Sequence, residues 1–110
     1  MITVTVERRN QEITGITAAG HALYDEPGSD IVCAAVSALM INAANSLEQL
    51  TDDDLVIEED QDGGGRLMIA LEGEISRDAD ILMRSLLLGL ESIQQNYTNS
   101  FLTIREREQD

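Results

Sequence analysis

The chain contains no tryptophan and no lysine, and histidine, cysteine, proline and phenylalanine each occur once in its 110 residues. A single cysteine excludes an internal disulfide, and one cysteine with one histidine falls short of the ligand set of a zinc site. We therefore expect neither a metal nor another cofactor. Aromatic residues make up only 3% of the chain, so the predicted core consists of isoleucine, leucine, valine, alanine and methionine.

Basic residues are also scarce. Acidic residues outnumber them 21 to 7, all seven are arginine, and the net charge is −14. Phosphate groups would be repelled, so direct binding of nucleic acid is not expected. A basic protein is the better-matched partner, because opposite net charges steer an encounter. The acidity is equally consistent with a role in solubility or with a salty habitat.

The segment ITVTVE that follows Met1 lacks the basic and long apolar regions of a signal peptide. It predicts a cytoplasmic protein, in which the cysteine stays a free thiol. We expect no run of the sequence to reach the roughly 20 apolar residues of a membrane span, so no membrane contact is predicted.

The hydrophobic patterns predict one domain over residues 1–110, in the order β-β-α-β-β-α-β. The expected class is α+β, a mostly antiparallel sheet with two helices packed on one face. The predicted strands are Ile2 to Glu7, Glu12 to Gly20, Leu55 to Glu59, Arg66 to Glu72 and Phe101 to Glu106, and the predicted helices run from Asp30 to Leu50 and from Arg77 to Asn96.

Some finer features are predicted as well. A β-bulge near Gly15 would bring Ile13 and Ile16 into phase, and residues 107–110 would fray. The expected core positions of the two helices are Ile31, Ala35, Leu39, Ala43 and Leu47, widened by Val32, Val36 and Met40, and then Ile81, Leu82, Leu86, Leu90 and Ile93. Both faces of the fourth strand are partly apolar, which suggests that the second face of the sheet is covered, for instance by dimerisation.

The stretch GHALYDEPGSDIVCAAVS, residues 20–37, contains the only histidine, cysteine and proline of the chain. Pro27 and Gly28 interrupt the chain, and Ser29 or Asp30 stands where a helix N-cap belongs. If Asp30 is the cap, Cys33 falls in the first helical turn, where unpaired N–H groups favour an anion such as a thiolate. His21, twelve residues upstream, completes the minimal pair for covalent acyl transfer.

The same residues allow purely structural interpretations. A lone cysteine in an alanine-rich helix is usually a small buried hydrophobic residue, and a histidine after a glycine is often a strand-end residue. Ser37, one turn beyond Cys33, either donates to the thiolate or to a substrate oxygen, or bonds a carbonyl of the preceding turn. Asp30 either caps the helix or orients His21.

This stretch closely resembles the Prp family of bacterial ribosomal-processing cysteine proteases. The matching residues are Gly20, His21, Ala22, Gly28, Asp30, Ile31, Val32, Cys33, Ala34, Ala35, Val36 and Ser37. The resemblance implies a homodimeric endopeptidase that removes a short N-terminal extension, cut after a phenylalanine, from ribosomal protein bL27 during assembly of the large subunit. It also implies that Cys33 is the nucleophile and His21 the general base.

A cysteine peptidase of this kind needs oxyanion donors and access for the peptide. Backbone N–H groups at the start of the first helix are the expected donors, and Leu23 to Ser29, flanked by Gly20 and Gly28, is the expected flap. The alternative from another class is a non-enzymatic acidic assembly factor, a dimer that binds a basic ribosomal protein and in which Cys33 is structural.

Overall fold

The structure is a computed structural model that describes residues 1–20, 29–60, 65–97 and 101–109. Its elements follow the predicted order: β1 (Ile2–Arg9), β2 (Glu12–Ala19), α1 (Ser29–Leu50), β3 (Asp54–Asp60), β4 (Arg66–Glu72), α2 (Arg77–Asn96) and β5 (Leu102–Glu108). The strands form one sheet in the order β3-β4-β2-β1-β5. All neighbours are antiparallel except β1 and β5, which are parallel. The predicted α+β class and mostly antiparallel sheet are confirmed.

The first hairpin contains the predicted bulge. Asn10 and Gln11 both have positive φ angles, 52° and 75°, as a two-residue hairpin turn with the twist of the sheet requires. Glu7 pairs with Gly15 whereas Arg8 pairs with Ile13, so Thr14 is the extra residue of β2. The bulge therefore allows Ile13 and Ile16, three positions apart, both to be buried.

One face of each helix contributes to an aliphatic core, but the predicted stripes are wrong at two positions. Ile31 is 55% exposed and Ile81 is 50% exposed. Successive helical residues are turned by about 100°, and the core lies on the stripes that contain Val32 and Met83 instead. The buried helical residues are Val32, Cys33, Val36, Met40, Ala43, Ala44 and Leu47 in α1, and Ala79, Met83, Leu86, Leu87, Leu90 and Ile93 in α2.

The two helices approach closely where α2 contains a glycine. A Cβ atom added at Gly89 would lie 2.8 Å from Cδ1 of Leu39, so the absence of a side chain there makes room for Leu39. Gly89 costs some helical propensity but permits this close packing.

The expectation that no segment is long and apolar enough to span a membrane is wrong for helix α1. Ile31–Leu50 has 20 residues and a mean hydropathy of 1.5. The core helix of a soluble protein meets the same length and composition criteria, and one face of α1 belongs to the core cluster of the domain.

The C-terminal segment is ordered where fraying was predicted. Strand β5 continues through Glu108, and the backbone N–H of Gln109 donates to the carbonyl of Arg8 at 2.6 Å. The Thr14 hydroxyl also donates to Oε1 of Gln109 at 2.9 Å. The bulge residue of β2 thus fixes the end of the chain, a contact that sequence patterns do not reveal; Asp110 lies outside the described residues.

Candidate active site

Cys33 lies near the start of α1 and is 2% exposed. The helix begins at Ser29, which makes Cys33 its fifth residue. Ser29 and Asp30, the two N-cap candidates of the sequence, both lie within the helix, so neither occupies the N-cap position. Cys33 follows the first turn rather than lying in it, but side chains tilt towards the N-terminus of a helix, so its sulfur still faces the turn that contains the unpaired N–H groups.

Gly20 ends the second strand in a conformation that favours glycine. Its φ angle is +87°, which costs an L-residue with a side chain roughly 1–2 kcal/mol. Its N–H donates to the carbonyl oxygen of Gly65 at 2.7 Å. This hydrogen bond ties the end of β2 to the start of β4 and so fixes the direction in which the chain leaves the sheet.

The end of β2 meets the start of α1 at the thiol. The Cys33 Sγ atom lies 3.9 Å from the carbonyl oxygen of Gly20, thirteen residues earlier. A thiol is only a weak hydrogen-bond donor, so the contact adds little energy and chiefly shows where the sulfur lies. The carbonyl group beside the sulfur belongs to the peptide bond that leads directly to His21. Gly20, the motif residue that precedes the only histidine of the sequence, thus lies beside the only cysteine.

The other predicted site residues are placed only in part. Ser37 is half-buried on α1, one turn beyond Cys33. His21, Gly28 and the proposed flap over residues 23–28 lie outside the described residues, as does the side chain of Asp30. Within the described parts of the chain, no group of three or more His, Cys, Asp or Glu side chains is suited to hold a metal ion.

Sequence reasoning missed Gly65, the partner that holds Gly20 in place. From the sequence alone, the Gly63-Gly64-Gly65 run indicates only a hairpin turn between two strands. Gly65 itself has a φ angle of +89° and is buried. A glycine at the end of such a run, just before a strand, is the one sequence signal of this close backbone contact.

The fold and the site together define a class, namely a small α+β domain with one buried thiol held between a helix start and a strand end. The family model described as the cysteine protease Prp matches residues 1–101. The chain belongs to this family of cysteine peptidases.

Individual relatives agree with this assignment. The chain is 31% identical over 101 residues to the ribosomal processing cysteine protease Prp of Staphylococcus aureus, covering 91% of this chain and 94% of that protein. The Bacillus subtilis protein of the same name is 29% identical over 104 residues, with 91% and 93% covered.

Solved structures share the whole fold. A Streptococcus mutans protein matches with a TM-score of 0.90 and 34% identity, covering 99% of this chain and 96% of that one. The S. aureus Prp protease in complex with a substrate peptide gives a TM-score of 0.88 at 28% identity, with 97% and 100% covered. The same protease has also been solved with a covalently linked product peptide.

Proposed function

We propose that this chain is the endopeptidase that removes a short N-terminal extension from ribosomal protein bL27 during assembly of the large ribosomal subunit. Membership of the family supports peptide hydrolysis, and the S. aureus and B. subtilis relatives are named for ribosomal processing. The observation that carries the proposal for this chain is the 3.9 Å contact between the Cys33 sulfur and the carbonyl oxygen of Gly20, because the next residue is His21.

In the proposed reaction, His21 takes the proton of the Cys33 thiol and the thiolate attacks the scissile carbonyl carbon. The tetrahedral intermediate collapses to a thioester with Cys33, and His21 gives the proton to the leaving amine. Water, deprotonated by His21, then hydrolyses the thioester and restores the thiol. The covalently linked product peptide on the S. aureus relative is consistent with a covalent route in this family.

The proposed oxyanion donors are backbone N–H groups of the first turn of α1. These groups have no partner within the helix, and the helix dipole adds a positive potential there. Because Cys33 is the fifth residue of α1, its own N–H can bond within the helix and is not the first choice. Gly20 and Gly28 are proposed to give the flanking backbone its freedom, Asp30 to orient His21, and Ser37 to donate a hydrogen bond at the site.

The partner and location of the protein are also proposals. A chain with a net charge of −14 favours encounter with a basic ribosomal protein and disfavours direct contact with RNA phosphates. We propose that it works in the cytoplasm as a homodimer, without a cofactor and without membrane attachment.

The decisive experiment incubates the protein with a peptide that spans the extended N-terminus of bL27 from the same organism, with the products read by mass spectrometry. We expect one cut by the wild type and none by Cys33→Ala or His21→Ala. A scrambled peptide of the same composition is the substrate control. Cleavage by Cys33→Ala at the wild-type rate would overturn the assignment of the nucleophile, and no cleavage by any form would overturn the proposed substrate.

The strong negative charge favours a second candidate, a non-enzymatic assembly factor that binds a basic ribosomal protein. In that case Cys33→Ala should bind bL27 as the wild type does, and neither should cut it. The rate of thiol alkylation separates the two roles independently of any peptide. A catalytic pair predicts that His21→Ala slows alkylation below pH 8, whereas an unchanged rate favours a structural Cys33.

A further inference from the structure

The end of α1 and the start of α2 border an open cleft with apolar walls. It is lined by Leu50, Ile81, Leu82 and Asp78, and its volume is about 260 Å³. Leu50 is 68% exposed and Ile81 is 50% exposed. Single exposed apolar side chains are ordinary on a protein surface, but several that share one concave surface offer an area that a partner can bury. We call this surface the Leu50 cleft.

The surroundings of the Leu50 cleft are strongly acidic. Residues 48–54 and 72–80 contain eight acidic side chains and one basic side chain, that of Arg77. The structure brings the two segments together, because Asp54 pairs with Glu72 across the sheet and Asp53 accepts from Ser76. A second, polar depression adjoins the cleft, because each of its two segments continues into one wall of the cleft. It is lined by Asp52, Asp53, Asp54, Glu74 and Ser76.

This charge decides which kind of partner suits the cleft. RNA and anionic lipid headgroups carry phosphate groups, which carboxylates repel. A second copy of the chain in a symmetrical contact would bring its own eight acidic side chains against these. A segment of a basic protein has the complementary charge, which steers association. The apolar walls also require an apolar side chain in that segment, because a purely polar segment would not bury leucine and isoleucine favourably.

We propose that the Leu50 cleft binds a segment of a basic protein in which lysine or arginine residues flank an apolar side chain. The identity of that protein rests on the proposed function: it is the part of bL27 that remains after the extension is removed. The cleft then holds the body of the substrate while the extension lies at Cys33. The two contacts are at opposite ends of α1, so binding at one does not obstruct the other.

The length of α1 sets a limit on the substrates that reach both places. Cys33 and Leu50 lie near the two ends of the helix, and a rise of about 1.5 Å per residue separates them by roughly 26 Å along its axis. An extended chain advances at most about 3.5 Å per residue. The segment that enters the cleft therefore begins at least about eight residues after the cleaved bond. A peptide that ends about four residues after that bond is too short to reach the cleft, whereas full-length bL27 is not.

The experiment compares KM and kcat for two substrates from the same organism, the short peptide and unprocessed full-length bL27. We expect Leu50→Gln/Ile81→Gln to raise KM for full-length bL27 about tenfold, because the burial of two apolar side chains is lost. The kcat value should not change, since this contact is equally strong in the ground state and the transition state. KM for the short peptide should not change either. The matched control is Ile41→Gln/Leu88→Gln, which replaces the same residue types at nearly the same exposure, 48% and 68%, outside the cleft.

A charge variant tests the acidic surroundings of the cleft. Glu74→Gln keeps the size of the side chain and removes its charge, and it should raise KM for full-length bL27 about twofold in low salt. Added salt should raise the wild-type KM for full-length bL27 more than KM for the short peptide, because it screens the charge pairs. Glu91→Gln is the matched control, since Glu91 lies on α2 but lines neither depression. Circular dichroism and light scattering of every variant confirm that the fold and the oligomeric state are retained.

The outcomes distinguish this proposal from the proposed function. If the wild type cuts the short peptide and Leu50→Gln/Ile81→Gln processes full-length bL27 with the wild-type KM, the cleft is overturned and the proposed function stands. An equal rise in KM in the control Ile41→Gln/Leu88→Gln would also overturn the cleft. If neither substrate is cut, the proposed function fails, and calorimetry with processed bL27 still decides on the cleft. A loss of affinity of about tenfold in Leu50→Gln/Ile81→Gln would support it, whereas an unchanged affinity or no binding to the wild type would overturn it. A wild-type oligomer that becomes smaller in this variant would replace the basic partner with a second copy of the chain.

Discussion

The starts of the two helices show how one fold uses the same element in two ways. At α2, the Ser76 side chain accepts from the N–H of Ala79 at 3.1 Å. Asp53 in turn accepts from both the N–H and the hydroxyl of Ser76, at 2.8 and 2.5 Å. The start of α2 is thus capped by Ser76, and Ser76 is itself held by Asp53. At α1, the corresponding region contains a buried thiol beside the carbonyl group of Gly20.

The composition of the helices follows the same division. Helix α2 has five charged residues among its 20, including Asp78 and Asp80 in the first turn, where they complement the dipole. Helix α1 has only two charged residues, Asp30 and Glu48, among its 22. The comparison teaches that contacts at its own start stabilise α2, whereas α1, at whose start the proposed site lies, relies on burial for stability.

The largest effect is expected at Cys33. Replacing it with alanine should reduce cleavage of the bL27 peptide at least about a thousandfold, because the nucleophile is lost. The free energy of unfolding should fall by only about 1 kcal/mol, since one small buried group is removed. Peptide turnover and denaturant unfolding measure the two quantities. A large loss of stability with turnover retained would make the start of α1 structural, like that of α2.

Gly20 provides the next test, because its conformation sets the direction of the chain beside the thiol. Gly20→Ala should cost roughly 1–2 kcal/mol, the penalty for a side chain at positive φ, and should also slow cleavage by displacing the carbonyl group. Gly73→Ala is the matched control: its φ angle is +74° and only Asp54 Oδ2, at 3.9 Å, would meet the added Cβ.

Both glycine variants should lose similar stability in thermal denaturation, but only Gly20→Ala should lose activity at a temperature where both are folded. Equal losses of activity in the two variants would show that strain alone matters. Unchanged activity in Gly20→Ala would show that the site does not depend on the end of β2.

The element order could be predicted because each signal is local. Alternation in β1, the phase change at Gly15 and the Ser76 cap are all read within a few residues. The buried faces of the two helices were harder to predict. Ile31 and Ile81 lie next to other apolar residues of their helices, such as Val32 and Met83, so the sequence alone does not say which of them meets the sheet.

The site could be predicted only as a set of residues. The motif marks Cys33, but its distance to Gly20 depends on how β2, α1 and the Gly65 carbonyl group come together. The ordered end of the chain has the same origin, since Gln109 is fixed by Thr14, 95 residues earlier. Contacts between segments so far apart leave no periodic signal in the sequence.

A smaller effect, on stability alone, is expected at the start of α2. Ser76→Ala removes the acceptor of the Ala79 N–H and should lower the free energy of unfolding by about 1 kcal/mol. The rate of peptide cleavage at a permissive temperature should not change. Ser76→Thr is the matched variant, because threonine also caps helices and keeps a hydroxyl group that can donate to Asp53. A loss of cleavage in Ser76→Ala while the protein is folded would show that the two helix starts are coupled.

The smallest effect on stability is expected at Asp53, and this effect is recognised by its dependence on pH. The hydrogen bonds from the Ser76 hydroxyl and backbone N–H lower the pKa of the Asp53 carboxyl below its ordinary value of 3.8. Because the native pKa is the lower one, the stabilisation is complete above the unfolded pKa and is lost as the pH falls through the native value. Asp53→Asn should therefore cost less than about 1 kcal/mol at pH 7, given the partial exposure of this site. Thermal denaturation of wild type and variant is measured from pH 7 to pH 2, and the difference between their melting temperatures should shrink below pH 4. A difference in melting temperature that does not depend on pH would mean that Asp53 supports Ser76 without its charge.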